Sequence, residues 1–244
     1  MIRRSPQTFQ QRGRDRECGF TLAEVLVAML TLGILLTAVS ALFFANLKST
    51  ETTSVRVKQT NQTRLAMESM SRILRTAVLP SSLASCTNCG ATTAFIQGSA
   101  FRVAFYANID NGSNVVGPSQ VVFAVDASGK LTQTVQPPDP GSASVGYTWT
   151  PCTLGAPGCS LRQKVLATGV QMAGDPLFTY YAFGSQTPMT GTLTATQLSN
   201  VDAVDIELST ELRGGRTSAP VTLIQRVALP NVDTVIEATQ SPGS

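Results

Sequence analysis

The sequence contains few side chains that could carry out chemistry. Histidine is absent from all 244 residues, which removes the commonest general base and the commonest metal ligand. Carboxylates and cysteines remain as candidates, and no pair of catalytic acids and no nucleophile beside a base is recognisable among them. We therefore expect a protein that is not an enzyme and that needs neither a cofactor nor a metal.

Glu24 is the carboxylate in the least ordinary position. It stands at the head of an apolar run, and no ionisable residue follows it between Val25 and Leu47. A carboxylate inside a membrane is costly unless it lies near the interface or has a partner. Glu24 also follows the Gly19–Phe20 pair closely and is the fifth residue counted from Phe20. This spacing needs an explanation beyond simple anchoring.

The apolar run, residues 20–47, is 28 residues long. About 20 apolar residues cross a bilayer, whereas the apolar core of a secretory signal is usually about 7–15 residues. Five arginines precede the run, opposed only by Asp15 and Glu17, and they account for the whole net charge of +3. The positive-inside rule then places the N-terminus in the cytoplasm and the rest of the chain outside. The neutral remainder offers no electrostatic argument for DNA binding.

A second helical pattern continues from the apolar run, because no glycine or proline interrupts it before Pro80. From Leu65 onward, apolar residues recur there at spacings of three, four or seven, which predicts an amphipathic helix with one face to bury and an end at Pro80. Arg64, Glu68 and Arg72 are four residues apart and predict two ion pairs. This pairing favours a solvated helix face over a DNA contact. The apolar positions are Val55, Leu65, Ala66, Met70, Ile73, Leu74 and Ala77.

Beyond Pro80, short β-like runs alternate with turn clusters rich in glycine, proline and aspartate. Several runs alternate polar and apolar residues, so each has one face to bury. An antiparallel sheet packed against the amphipathic half of the helix would bury both apolar surfaces. We therefore predict an α+β fold with a long N-terminal helix on an antiparallel sheet. The predicted strands are 93–97, 101–106, 120–126, 163–170, 177–184, 201–212 and 220–229.

Four cysteines lie in this outer region: Cys86, Cys89, Cys152 and Cys159. An even number of cysteines outside the cytoplasm predicts two disulfides, and three connectivities are possible. We expect the local pairs Cys86–Cys89 and Cys152–Cys159. A redox motif or a zinc site is less favoured, because no βαβ unit is visible and because six residues separate the second pair of cysteines.

Two further groups leave alternatives open. Asp202, Asp205 and Glu207 lie close together and could hold calcium, but no glycine-containing Asp/Asn loop accompanies them, so a solvated strand face is the preferred interpretation. Tyr147 and Trp149 either fill a core or form an adhesive patch, and the sequence does not distinguish these roles.

The hexapeptide "GFTLAE", residues 19–24, resembles the type IV prepilin cleavage and methylation signal: a basic leader ending in glycine, then phenylalanine, then glutamate at the fifth mature position of a long apolar helix. The resemblance implies that a membrane-embedded prepilin peptidase cuts between Gly19 and Phe20 and methylates the new amino group of Phe20. It also implies a role for Glu24, whose carboxylate would pair with the N-terminal ammonium of a neighbouring subunit during assembly.

The segments "RLAMESMSRILRTA" and "LSNVDAVDIELSTEL" resemble the PilW/PulJ class of minor pilins and pseudopilins. This resemblance implies a minor pilin that primes assembly of a type IV pilus and serves twitching, adhesion or DNA uptake. Its partners would be other major and minor pilins and the inner-membrane assembly machinery, with DNA or a surface ligand as a further partner. A J-type pseudopilin of type II secretion and a membrane-anchored DNA- or ligand-binding protein are the alternatives.

The predicted organisation follows from these patterns. The subunit would cross the inner membrane once before assembly and later form part of a surface pilus or a periplasmic pseudopilus. Its segments would be a cleaved basic leader (1–19), a transmembrane and assembly helix (20–47), an amphipathic helix on the sheet (48–80), an extracytoplasmic β domain (81–236) and a frayed tail (237–244).

Overall fold

The computed structural model describes residues 21–83, 93–111, 117–141, 146–211, 219–230 and 232. The chain divides into two compact units, Met1–Glu51 and Thr52–Ser244, and we call the second unit the head. The long helix α1 (Leu22–Leu74) begins in the first unit and ends in the head. Among the described residues, α1 is the one helix that is long and apolar enough to cross a membrane, by length and composition.

In the first unit, the apolar side chains of α1 are exposed. Leu35, for example, is 62% exposed, and every other described residue up to position 50 is exposed as well. The hydroxyl groups of Thr31 and Thr37 donate to the carbonyl oxygens of Ala28 and Ile34 at 3.0 and 2.7 Å. These polar side chains are therefore satisfied within the helix and do not require water.

The described residues of the head form two antiparallel sheets and two short helices besides the end of α1. The five strands of the first sheet pair in sequence order, β1-β2-β3-β4-β5, and the second sheet has the order β6-β7-β8. The elements are α2 (Pro80–Leu83), β1 (Phe95–Ser99), β2 (Arg102–Ala107), β3 (Ser119–Val125), β4 (Leu131–Gln136), β5 (Arg162–Ala167), β6 (Phe178–Ala182), α3 (Ala195–Leu198), β7 (Val201–Thr210) and β8 (Val221–Ala228).

Backbone hydrogen bonds join the two sheets. The amide of Phe178 donates to the carbonyl oxygen of Ala100 at 3.0 Å, which connects β6 to the β1–β2 turn. The segment after β5 connects to the end of β7, where the amide of Gln171 donates to Ser209 O at 2.9 Å. These hydrogen bonds connect the two sheets and satisfy backbone polar groups that would otherwise need another partner.

The core of the head lies between the sheets and the second half of α1. Met70 and Leu74 of α1 are fully buried in one apolar cluster with Phe95, Phe105 and Phe123 of three adjacent strands. The Phe105 ring lies 5.8 Å from that of Phe95 and 6.0 Å from that of Phe123, centroid to centroid. The predicted α+β fold, a long N-terminal helix packed on antiparallel sheet, is confirmed.

The prediction that α1 runs to Pro80 is wrong. The helix ends at Leu74, because the next residues pair with β2: Val78 donates its amide to Tyr106 O at 2.9 Å, and Ala77 forms an isolated bridge with Ala107. Pro80 instead begins α2, a position where the missing N–H costs nothing. The helix therefore ends because the residues after it pair with the sheet, and not because of Pro80.

The predicted buried face of α1 was correct in part. Leu65 is 65% exposed, whereas Met67, which the pattern omitted, is 5% exposed. The polar residues Gln59 and Thr63 are fully buried. No salt bridge joins Glu68 to a neighbouring arginine in the described part of α1, so the two predicted ion pairs are not formed.

Strand β4 was missed by the sequence reasoning. Of its residues only Leu131 and Val135 are buried, four positions apart, so it lacks the apolar alternation of a half-buried strand. Gln133 stands at a position where this alternation requires an apolar residue. Its side-chain oxygen accepts a hydrogen bond from the Ser69 hydroxyl of α1 at 3.5 Å. The seven predicted strands match the other seven, with ends displaced by at most three residues.

Leu74 and Leu65 provide a matched test of the core. Leu74→Ala should lower the free energy of unfolding by about 2–5 kcal/mol, because it leaves a cavity in a filled core. Leu65→Ala should change it by less than about 0.5 kcal/mol, because Leu65 is exposed. Urea unfolding of the full chain in detergent micelles measures both. Equal losses would contradict the packing of α1 described above.

Candidate functional site: the start of the long helix

Thr21 and Glu24 hold each other at the start of α1. The backbone N–H and the hydroxyl group of Thr21 both donate to Glu24 Oε2 at 3.0 Å. In return, the backbone N–H of Glu24 donates to Thr21 Oγ1 at 3.3 Å. This reciprocal arrangement is a capping box, which satisfies backbone donors that have no partner inside the helix.

The capping box fixes the position of the Glu24 carboxylate. The positive end of the helix dipole lies at the same place and favours a negative charge there. Only Oε2 is used by the hydrogen bonds to Thr21, and among the described residues Oε1 accepts none. Hydrogen bonds within its own chain therefore orient the carboxylate, and Oε1 remains available to a donor from another molecule.

The role of Thr21 was missed by the sequence reasoning, although a signal was present. Threonine followed three residues later by glutamate, just before an apolar run, is the sequence pattern of a capping box. Glu24 was considered only as a carboxylate for assembly. The structure gives it a second role inside its own chain. Gly19 and Phe20, the predicted processing residues, lie outside the described residues.

Cys152 and Cys159 form a disulfide with a Cα–Cα distance of 5.7 Å. The pair closes an exposed loop in which Gly155 and Gly158 adopt φ angles of 81° and 79°, a conformation that favours glycine. Leu154 at this loop is 49% exposed. Cys86 and Cys89, the other predicted pair, lie outside the described residues.

The acidic residues of β7 do not form a shared site. Asp205 is bound by the guanidinium of Arg226, with N–O distances of 2.7 and 2.8 Å, and this guanidinium also lies 4.3 Å from the centroid of the Tyr181 ring. Glu207 stands opposite Ile224 of β8. The Arg226 hydrogen bonds hold the pKa of Asp205 below its usual range. In the described part of the chain, no group of three or more Cys, Asp or Glu residues could hold a metal ion.

Tyr147 and Trp149 are half-buried and pack against their own chain. The indole N–H of Trp149 donates to Pro118 O at 3.2 Å, and the Trp149 ring lies 4.6 Å from that of Tyr106. Gly117 lies under Tyr147, where a Cβ would come within 2.1 Å of the ring. These contacts favour the core-filling role over an adhesive patch.

The comparison with known proteins points to the start of α1. The family described as "Prokaryotic N-terminal methylation motif" matches residues 14–40. This range includes Gly19, Phe20 and the capping box, together with most of the apolar run. No curated protein matches the chain. The match supports a type IV prepilin-like protein.

The Asp205–Arg226 pair should make the stability of the head depend on pH. Because the pKa of Asp205 is lowered in the folded state, its contribution is fully present above the ordinary carboxyl range and is lost as the pH falls through the folded-state value. Asp205→Asn should therefore cost about 1 kcal/mol at pH 7 and nothing in strong acid.

Unfolding of both proteins by urea across the acid range measures this difference. Glu207→Gln on the same strand is the control, and it should change stability by less than about 0.5 kcal/mol. A cost for Asp205→Asn that stays constant into strong acid would show that the ion pair is not its cause.

Proposed function

We propose that this chain is a minor pilin, a non-enzymatic structural subunit of a type IV pilus. The observation that carries the proposal is the methylation motif at residues 14–40, which coincides with a capped helix start and an apolar helix. The motif is the substrate signal of a prepilin peptidase. Cleavage would fall between Gly19 and Phe20, and Phe20 would be methylated.

The exposed apolar surface of α1 supports an assembly role. Between Leu22 and Leu47 the helix presents leucine, valine and phenylalanine side chains on all sides, and the described chain buries none of them. Such a surface needs an apolar environment. We assign that environment to the inner membrane before assembly and to the helices of neighbouring pilins afterwards.

Glu24 is proposed to set the position of each helix in the filament. Its carboxylate is already held by Thr21 and has Oε1 directed to no donor of the described chain. The N-terminal ammonium group of Phe20 in a neighbouring subunit would bind this carboxylate. A helix displaced along its neighbour would lose this ion pair. Its incorporation would then be unfavourable, because an unpaired charge in an apolar surrounding is costly.

The head is proposed to act through contacts with other proteins. It would lie on the filament surface or at its tip, where a minor pilin primes assembly with other minor subunits and serves twitching, adhesion or DNA uptake. The Cys152–Cys159 disulfide suits such an exposed position, because disulfides persist in oxidising compartments outside the cytoplasm.

Mass spectrometry of the membrane-extracted protein tests the processing step. The mature chain should begin at Phe20 and carry one additional methyl group on its amine. An intact Met1 and an unmodified leader in cells that contain an active prepilin peptidase would show a simple membrane anchor and would overturn the proposed function.

Two substitutions separate the two roles of Glu24. Glu24→Gln keeps an oxygen for the capping box but removes the charge, so cleavage should be normal while incorporation into filaments falls at least about tenfold, since a buried charge pair is broken. Thr21→Val removes the cap, at about 1 kcal/mol, but keeps the charge and should be incorporated.

Immunoblotting of sheared filaments and of membranes measures incorporation and cleavage for both variants. Wild-type incorporation of the Glu24→Gln protein would show that the charge does not direct assembly. Loss of incorporation in Thr21→Val alone would assign the effect to the start of the helix instead.

A further inference from the structure

The head has strands at the edges of its sheets, and the edges differ in how they are protected. An unprotected edge presents unpaired backbone N–H and C=O groups that can pair with another strand. Strand β1 is covered, because the amide of Leu193 donates to Gly98 O at 2.9 Å. Strand β6 lies beside it through the bond from Phe178 to Ala100.

Strand β5 is protected in another way. Its exposed residues include the charged side chains of Arg162 and Lys164, which discourage pairing with a further strand. The register of its pairing with β4 is also irregular. Beyond β5 the chain pairs with β7, where Glu211 donates its amide to Gly169 O at 2.7 Å. Little regular edge is left there.

In the described part of the chain, strand β8 is less protected than β1 or β5, because no loop hydrogen-bonds to its outer edge and it carries only one charged side chain. It pairs with β7 through eight consecutive residue pairs without a bulge, and in the described part of the chain its backbone bonds to no strand other than β7. Its one charged residue, Arg226, is bound to Asp205. Ile224 is 69% exposed. A regular edge of this length with few charges is a template for an added strand.

A groove of about 550 Å³ lies between β8 and the end of α1. Met67 of α1 and Leu223 of β8 contribute apolar surface to it. Arg64, Arg72 and Arg75 also line the groove, together with a single acid, Glu68. All four charged side chains are exposed.

The arginines of this groove have no ion-pair partner in the described part of the chain. Among the described residues, Arg64, Arg72 and Arg75 form no salt bridge, and neither does Glu68. Among the described residues that line the groove, three cations and one anion leave an excess of two positive charges. Guanidinium groups bind carboxylates with paired, charge-assisted hydrogen bonds. The groove is therefore suited to an acidic occupant.

We propose that the edge of β8 and the adjacent arginine groove form a docking site for an extended acidic segment of another protein, which adds to the β6-β7-β8 sheet as a fourth strand. Side chains of a strand alternate between its two faces. One face of the added strand would place carboxylates over Arg64, Arg72 and Arg75, and the other would place apolar residues beside Ile224.

A second copy of this chain is a poorer occupant. Its own β8 contains no acidic residue, and Arg226 is its only charge. Pairing of two β8 edges would therefore bring no carboxylate to the groove. The site lies wholly within the head and does not depend on the proposed filament, so a failure of either proposal leaves the other standing.

The test uses the full chain in detergent micelles and a synthetic peptide of four Glu-Val repeats. We expect the peptide to bind and to slow amide hydrogen exchange in β8, since the peptide backbone would form hydrogen bonds with the backbone N–H and C=O groups at the edge of β8. A peptide of four Lys-Val repeats should not bind. An acidic peptide with N-methylated amides at alternate residues should bind weakly, because it cannot complete the backbone ladder.

Variants of α1 test the groove. The double variant Arg64→Glu and Arg75→Glu should weaken binding of the acidic peptide about tenfold or more, because two attractive contacts become repulsive. The matched control is Arg56→Glu with Lys58→Glu, which carries the same charge change on the same helix outside the groove and should leave affinity nearly unchanged. Thermal unfolding checks that both variants remain folded.

Three results would overturn the proposal. The first is failure of the acidic peptide to protect β8. The second is an equal loss of affinity in the two double variants, which would show a general charge effect. The third is self-association of the chain with β8 protected in the absence of peptide, which would identify a second copy as the occupant.

Discussion

The head depends on the burial of one face of α1 between Gln59 and Leu74. Its C-terminal part is apolar, and Met70 and Leu74 meet the phenylalanine side chains of β1, β2 and β3. Its N-terminal part is polar: Gln59 donates to the carbonyl oxygen of Thr210 at the end of β7, and the hydroxyl groups of Thr63 and Thr210 lie 2.6 Å apart. Hydrogen bonds are directional, so this polar contact sets where along α1 the sheet attaches.

Burial also divides α1 into two surfaces with opposite requirements. The apolar side chains near its start are exposed and need lipid or other helices, whereas those near its end are covered by the head. The capping box of Thr21 and Glu24 lies at the start of α1, and the arginines of the groove beside β8 lie in its second half, next to the covered apolar side chains. A single helix thus carries both the proposed assembly signal and one wall of the proposed docking site.

Much of the fold could be predicted because it rests on local patterns. The apolar run, the amphipathic spacing and seven strands follow from residue periodicity, and the paired helix and sheet follow from their apolar faces. The helix end at Leu74 could not be predicted, because it results from pairing of residues 77 and 78 with β2, distant in sequence. Strand β4 was missed since Gln133 occupies a position where the pattern requires an apolar residue.

The sequence by itself determined the membrane-length helix, the position of Glu24 five residues into the predicted mature chain, and the class of fold, because each depends on spacing along the chain. Only the tertiary structure decided that Arg226 binds Asp205 and that, in the described part of the chain, β8 has a free edge beside three arginines without an ion-pair partner. These features require side chains and backbone groups to meet in space. Polar contacts of this kind depend on distances of a few ångströms, which residue periodicity does not encode.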